Sequence, residues 1–581
     1  MPSIKRLDYL KTVLACVCLA GSFAVAAAVE AEQDEHCDYY QAGDKQVYWG
    51  DLHVHSGYSL DAWGYGTANT PREAYDFAKG APMNLPSGQT VRLERPLDFM
   101  SVTDHAEWFN LMYQCTDPGW SDHPYCDTMT EKNAPATGSE VFGEYVLPTI
   151  TKADPQPAAL CVDDPARCAQ TMQQQWRRIQ RQAHDANEPC SFTAFVGFEW
   201  SATPDYSHNH RNVIFADENV STQPIDYMRY RTPDLLWREL DRQCRAEDDC
   251  DVLVIPHNTN MGDGKSFDVE TESPELLSMR ARYERLVEIH QQKGNSECLP
   301  AFGQTDEDCS FETVLTLNSR PTPAAEYTAQ QWERMRGSYV RRLLLRGLYA
   351  YQQSAEQAVN PLQLGIIGST DNHVGTGGFV EEDQWLGSVF GIGDFDRTMV
   401  RRSWNPGGLV AVWAEENTRT SLFDALSRRE VYATSGPRMK LRFTASYEPL
   451  SCDQEIPTGA VPMGGELNGS GARHFMVQAQ YDKTPLRAID IVKGEYAGEA
   501  LREQVVRIWE KSAGGLDVCV TWQDQDFDAA APAFWYARLH EAPTPRWSAV
   551  HCQRAGRCDE FEDADVSISE RAWSSPIWHL P

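Results

Sequence analysis

The stretch YWGDLHVHSGYSLDAWG, Tyr48–Gly64, sets two histidines one residue apart at the end of a short β-like run. Alternate residues of a strand share a face, so His53 and His55 point the same way. Asp61 follows eight residues after His53, in a turn-rich continuation. The same kind of ending recurs along the chain. PLDFMSVTDH closes on His105, TAFVGFEWS carries Glu199, DVLVIPHN ends with His257, and LGIIGSTDNH ends with Asp371 and His373. His210 instead opens its run, in SHNHRNVIF. For one buried histidine the bland reading is a satisfied core residue. Recurrence at strand ends, out of 15 histidines, argues for a metal site.

Between these runs lie helical patterns, so residues 46–442 read as an α/β domain with parallel strands, whose C-terminal strand ends converge on one face. NTPREAYDFAKG is one such helix, with Thr70 as cap, Pro71 in the first turn, Glu73 at the capping-box position and Gly80 as stop. From about residue 445 to 581 the texture changes to alternating runs, such as RHFMVQAQYD and AFWYARLHE, between turn residues. This predicts a C-terminal antiparallel β-sandwich-like module.

At 581 residues the chain exceeds one ordinary core, and its formal net charge of −32 disfavours nucleic acid and anionic membrane surfaces. Any anionic substrate then needs local cations, from metals or placed side chains. Residues 1–29 read as a signal peptide: Lys5, Arg6 and Lys11 precede an Ala- and Val-rich stretch and then acidic residues. A membrane anchor fits less well, because the apolar part is short and Ala-rich, so the mature chain is expected in the periplasm or outside the cell with no stable membrane span. Export suits the cysteines, of which Cys115/Cys126, Cys161/Cys168, Cys244/Cys250, Cys298/Cys309 and Cys552/Cys558 form local pairs. No C-x2-C spacing supports zinc knuckles.

Taken in order, DLHVHSGYSLD, VTDHAEW, GFEWS with HRNVIF, IPHN and GSTDNH resemble the PHP (polymerase and histidinol phosphatase) superfamily of metallohydrolases. They are most similar to a secreted bacterial PHP-like branch known only as a domain of unknown function. RREVYATSGPR and AWSSPIW also look like PHP relatives that hydrolyse carbamates and other esters. The resemblance covers residues 46–442 and implies a distorted (β/α)7 barrel holding two or three divalent ions, Mn, Zn or Fe. Matched position by position, the implied metal ligands are His53, His55, Asp61, His105, Glu199, His210, His257, Asp371 and His373. His208 competes with His210 through the HNH register, and His290 ends a strand the motif does not require.

The implied activity is hydrolysis of a small phosphomonoester or phosphodiester by a metal-bridging hydroxide, with Glu199, His257 and Asp104 as the catalytic residues. Asp104 precedes His105 on a strand, so it faces away from that ligand's ion and reads as an orienting carboxylate. Arg211, Lys265 and Lys293 are the cations placed to contact a substrate anion. The alternatives are a carboxylic, carbamate or sulfate ester hydrolase using the same centre, and a non-catalytic metal-binding periplasmic protein. Oligomeric state is not legible.

Overall fold

The computed structural model describes residues 36–117, 119–121, 126, 140–244, 250–267, 269–306, 308–315, 327–353, 359–561 and 563–581. The predicted signal peptide lies outside them. Strand β1 (Gln46–Val54) is buried from Tyr48 onward. It pairs in parallel with β2 (Phe99–Val102), and β2 pairs in parallel with β3 (Thr193–Trp200). Then the direction changes: β4 (Arg211–Phe215) and β5 (Val252–Pro256) each pair antiparallel with the strand before. Strands β6 (Leu286–Gln291) and β7 (Gly365–Gly368) form a parallel pair in a separate sheet. Strand β8 (Leu409–Ala414) returns to β1, antiparallel, and carries β9 (Val431–Thr434) on its other edge.

Every residue of β2 to β9 is buried, as expected of strands covered on both faces. Leu52, Phe99, Phe195, Ile214, Leu253, Leu286, Ile367 and Val410, one from each of β1 to β8, pack into a single apolar cluster. Side chains of the helix Arg419–Ser427 join that cluster. These strands thus surround one core, but not as the expected run of parallel neighbours. Antiparallel pairs and a division into two sheets interrupt the ladder. The predicted helix forms as Pro71–Ala78, with the Thr70–Glu73 capping box closed and Gly80 at φ +98°.

The strands expected after residue 445 form, in two different sheets. Strands β10 (Lys440–Ser446), β11 (Arg473–Gln480), β12 (Leu486–Ala497), β13 (Ala500–Gly515), β14 (Asp517–Asp524), β15 (Ala533–Glu541) and β16 (Arg571–Ser574) divide between two sheets. One twelve-stranded sheet runs β13-β12-β15-β16-β9-β8-β1-β2-β3-β4-β5, with Ile577–His579 pairing on β15 as the twelfth strand, straight across the boundary placed near residue 445. Strands β10, β11 and β14 join Val461–Pro462 in a four-stranded sheet. Its Phe475 ring lies 5.2 Å from that of Trp535 in β15. The last residues of the chain are therefore part of the same sheet as β1.

All five local cysteine pairs are disulfides, and Cys37–Cys190 and Cys452–Cys519 add two long-range ones. Seven disulfides fit an exported protein. Among the described residues no helix is long and apolar enough to cross a membrane.

Candidate metal centre

His53 and His55 leave the end of β1 with no measurable exposure. Each Nε2 lies 3.2 Å from Glu199 Oε2, at the end of β3, and 3.3 Å from Asp371 Oδ1, beyond β7. Glu199 Oε1 lies 2.6 Å from His210 Nδ1, 3.5 Å from His257 Nε2 and 3.5 Å from His105 Nδ1. Asp61 Oδ2 lies 3.1 Å from His373 Nε2 and 3.4 Å from His105 Nε2. All nine residues predicted as ligands therefore meet in one buried cluster.

Three overlapping triads could each hold an ion: His53 with Glu199 and His257, His53 with His55 and Asp371, and His55 with His105 and His373. Ligands at about 2.1 Å around a tetrahedral ion stand about 3.4 Å apart. Most of the separations above fall near that value. Orphaned atoms make the same point. His55 Nε2, both ring nitrogens of His257 and Asp371 Oδ1 are buried and have no hydrogen-bond partner among the described residues. Such atoms are costly unless something else satisfies them.

The charges also fit a cation. Burial would raise the carboxyls of Glu199, Asp61 and Asp371, yet the surrounding histidines hold all three well below their ordinary range, with Lys293 adding at Asp371. Burial, reinforced by His373 and His105, lowers His55 to about 4. Burial and the neighbouring His53 lower His257 to about 3. Both imidazoles are neutral, with lone pairs to offer. His53 differs: burial opposes its charge, but Asp371 and Glu288 raise it to about 10. Glu199 and Asp61 raise His105 as well, against its burial, so protons on His53 and His105 balance the carboxylates here, and divalent ions would take the place of those protons.

Outer contacts fix the rings. Asp104 accepts from Ser56 N, Ser56 Oγ and Ser59 Oγ, each at 2.7 Å, and Ser59 Oγ meets His55 Nδ1 at 2.9 Å. Asp104, in the loop that follows β2 and expected among the catalytic residues, thus reaches the cluster through Ser59. Ser201 Oγ meets His105 Nδ1 at 2.7 Å, and Thr203 Oγ1 meets His210 Nε2 at 2.6 Å. Glu288 meets His53 Nδ1 at 3.0 Å. Glu288 carried no signal in the sequence, and the ring of His290, the strand-end histidine the motif does not require, packs against Phe311 and Trp573, with centroids 5.6 and 5.9 Å away. His208 is buried and stacked on His210, ring centroids 4.5 Å apart, and neither of its nitrogens has a hydrogen-bond partner among the described residues. Asn258 and Asp371 both sit at φ +54°, a conformation that non-glycine residues hold at a cost and that clusters at functional sites.

The three expected substrate cations separate. Lys293 Nζ pairs with Asp371 Oδ2 at the edge of the cluster. Lys265 stands at the surface, 3.9 Å from Asp205 and 4.0 Å from Asp263. Arg211 is a correction: it is fully buried, its Nε donates to Glu284 at 2.8 Å, and its Nη2 to Ser266 O at 3.0 Å. Its side chain leaves the strand on the face away from the cluster.

Comparison with known proteins bears on the whole length. A 412-residue match at 25% identity relates 69% of this chain to 49% of an uncharacterised protein of Chlamydia pneumoniae. The chain thus spans about half the length of the curated relative it matches. Among solved structures, one from Bacteroides vulgatus is described as a two-domain protein containing a predicted PHP-like metal-dependent phosphoesterase. It shares 11% identity over 87% of this chain and 94% of its own, at a TM-score of 0.29. The model of a family described as protein of unknown function, DUF3604, matches residues 42–508 and 505–581. Matched from β1 through to its final residue, the chain belongs to the DUF3604 family.

Proposed function

We propose that this protein is a metal-dependent hydrolase that cleaves a small phosphate ester. The carrying observation is Glu199, a single buried carboxylate facing His53, His55, His105, His210 and His257. His53, His55, Asp61, His105, Glu199, His210, His257, Asp371 and His373 would hold two or three divalent ions, Mn, Zn or Fe. Bound there, such ions supply Lewis acidity toward an ester's oxygens and toward water. The chain's own groups do the rest. Ser59, Ser201, Thr203 and Glu288 lock the ligand rings through their outer nitrogens, and burial keeps bulk water from the cluster. Lys293 stands beside Asp371 and would bind an anionic oxygen of the substrate, which favours a phosphate over a neutral carboxylic ester.

The same reading takes the fold as an elaborated PHP barrel whose core is the cluster shared by β1 to β8, and the chain as exported by residues 1–29. The test is a panel of chromogenic phosphomono-, phosphodi-, sulfate and carboxylate esters, offered to chelator-stripped protein and to protein reloaded with Mn or Zn. The expected outcome is phosphate-ester turnover only after reloading, falling at least tenfold in Lys293→Ala. No turnover of any ester with any metal would overturn the hydrolase reading.

A further inference from the structure

We propose that the chain carries a second ligand site, separate from the metal centre, that takes a small molecule bearing an oxyanion, with Arg571 as its anchor. The site is a cavity of about 560 Å³ whose walls include Phe311, Arg402, Arg546, Ser567, Ser569 and Arg571. That volume lies within the ~300–1,000 Å³ typical of small-molecule sites. In a chain of net charge −32, a cavity with three arginines against two carboxylates, Glu312 and Asp563, is locally cationic.

Arg571 is the decisive group. It is 5% exposed and lies over the Phe311 ring, 4.2 Å from its centroid. Its Nη1 donates to Asp308 O at 2.6 Å, but its Nε has no hydrogen-bond partner among the described residues. A buried guanidinium is ordinarily matched by a carboxylate. Those within reach here, Asp308 and Glu297, stop 3.8 and 3.9 Å away, beyond hydrogen-bond range. Both are committed elsewhere. Glu297 accepts from Arg341, Arg538, Tyr536 and Trp573, each at 2.8 Å, and Asp308 from Arg538 at 2.9 Å. Glu312, also on the cavity wall, is taken by Arg546 through two hydrogen bonds at 2.5 and 2.7 Å. Arg571 therefore has carboxylates only at the outer limit of ion pairing and none hydrogen-bonded to it, and the cavity has room to bring an oxyanion closer.

The site is distinct from the metal centre but close to it. Gln291 and Lys293 touch Asp371 on one side of the hairpin that β6 forms with Gly294–Asn295. On the other side Asn295 N donates to Glu312 O at 2.9 Å. An oxyanion in the cavity would sit behind the strand turn that presents Lys293. A carboxylate, a sulfate and a phosphate group share the required chemistry, and the experiment separates them.

Calorimetric titration of the full chain, stripped of metal by a chelator, with inorganic phosphate, sulfate and glucuronate tests the proposal. Saturable binding of at least one anion at one site per chain is expected, weakened at least tenfold in Arg571→Gln and in Ser567→Trp, and unchanged in His53→Ala. Ser567 is exposed at the cavity wall, so its replacement fills the cavity without touching the buried ion pairs, and it decides the matter if Arg571→Gln does not fold. Absence of saturable binding for all three anions, wild-type binding by Ser567→Trp, or loss of binding in His53→Ala would each overturn it.

Discussion

Glu199 stands at the middle of the cluster because β3 ends there and because β3 is flanked by β2 and β4, which bring His105 and His210 to either side. The strand-end histidines were legible in the sequence, since their residue types and positions repeat from strand to strand. Glu288 was not. Strand alternation would give Glu288 and His290 the same face, but the pairing of β6 with β7 shifts register between Ile367 opposite Glu288 and Gly368 opposite His290. That irregularity re-aims one side chain relative to the other, and Glu288 reaches His53 while His290 does not. Arg211 was misread because a cation beside a ligand looks alike in sequence on either face of a strand. Ser59 offers a residue-scale test. It links Asp104 to His55 Nδ1, so Ser59→Ala frees the ring and should weaken metal affinity about 10–100-fold while leaving the fold intact. Metal titration of stripped protein measures it, and unchanged affinity would remove Asp104 and Ser59 from the account.

At the scale of elements, β15 carries a pH-dependent cost. Glu541, its last residue, is 2% exposed; burial first, then Asp482 and Glu381, raise its carboxyl from 4.5 to about 8. Between those values the folded chain holds a proton that the unfolded chain releases. Stability from this group is thus complete below about pH 4.5 and lost as pH rises through about 8. Glu541→Gln cannot ionise, so its stability relative to wild type should climb steadily across that window in urea denaturation. Parallel curves for the two proteins would contradict the assignment. Elements themselves were legible: the helix Pro71–Ala78 begins at the capping box read from Thr70 and Glu73, and the alternating runs after residue 445 are strands. Their partners were not, since a strand's own pattern gives its faces but not which edge it will meet.

For the whole molecule, the consequence is that the C-terminal strands extend the sheet that begins with β1, rather than standing apart. The long-range disulfides bear on the same scale. Cys37–Cys190 ties the start of the described chain to the turn before β3, across a separation of 153 residues. Replacing both cysteines by serine should cost about 2–5 kcal/mol of stability, mostly through the unfolded chain. A urea midpoint unchanged by the double replacement would count against that restraint. The central claim is a polynuclear metal centre built on Glu199, and elemental analysis of the purified full chain by inductively coupled plasma mass spectrometry tests it most directly. At least two equivalents of divalent transition metal per chain are expected, falling below one in a folded Glu199→Ala variant. Less than one equivalent in the wild type after incubation with Mn and Zn, or the same content in the variant, would contradict the account.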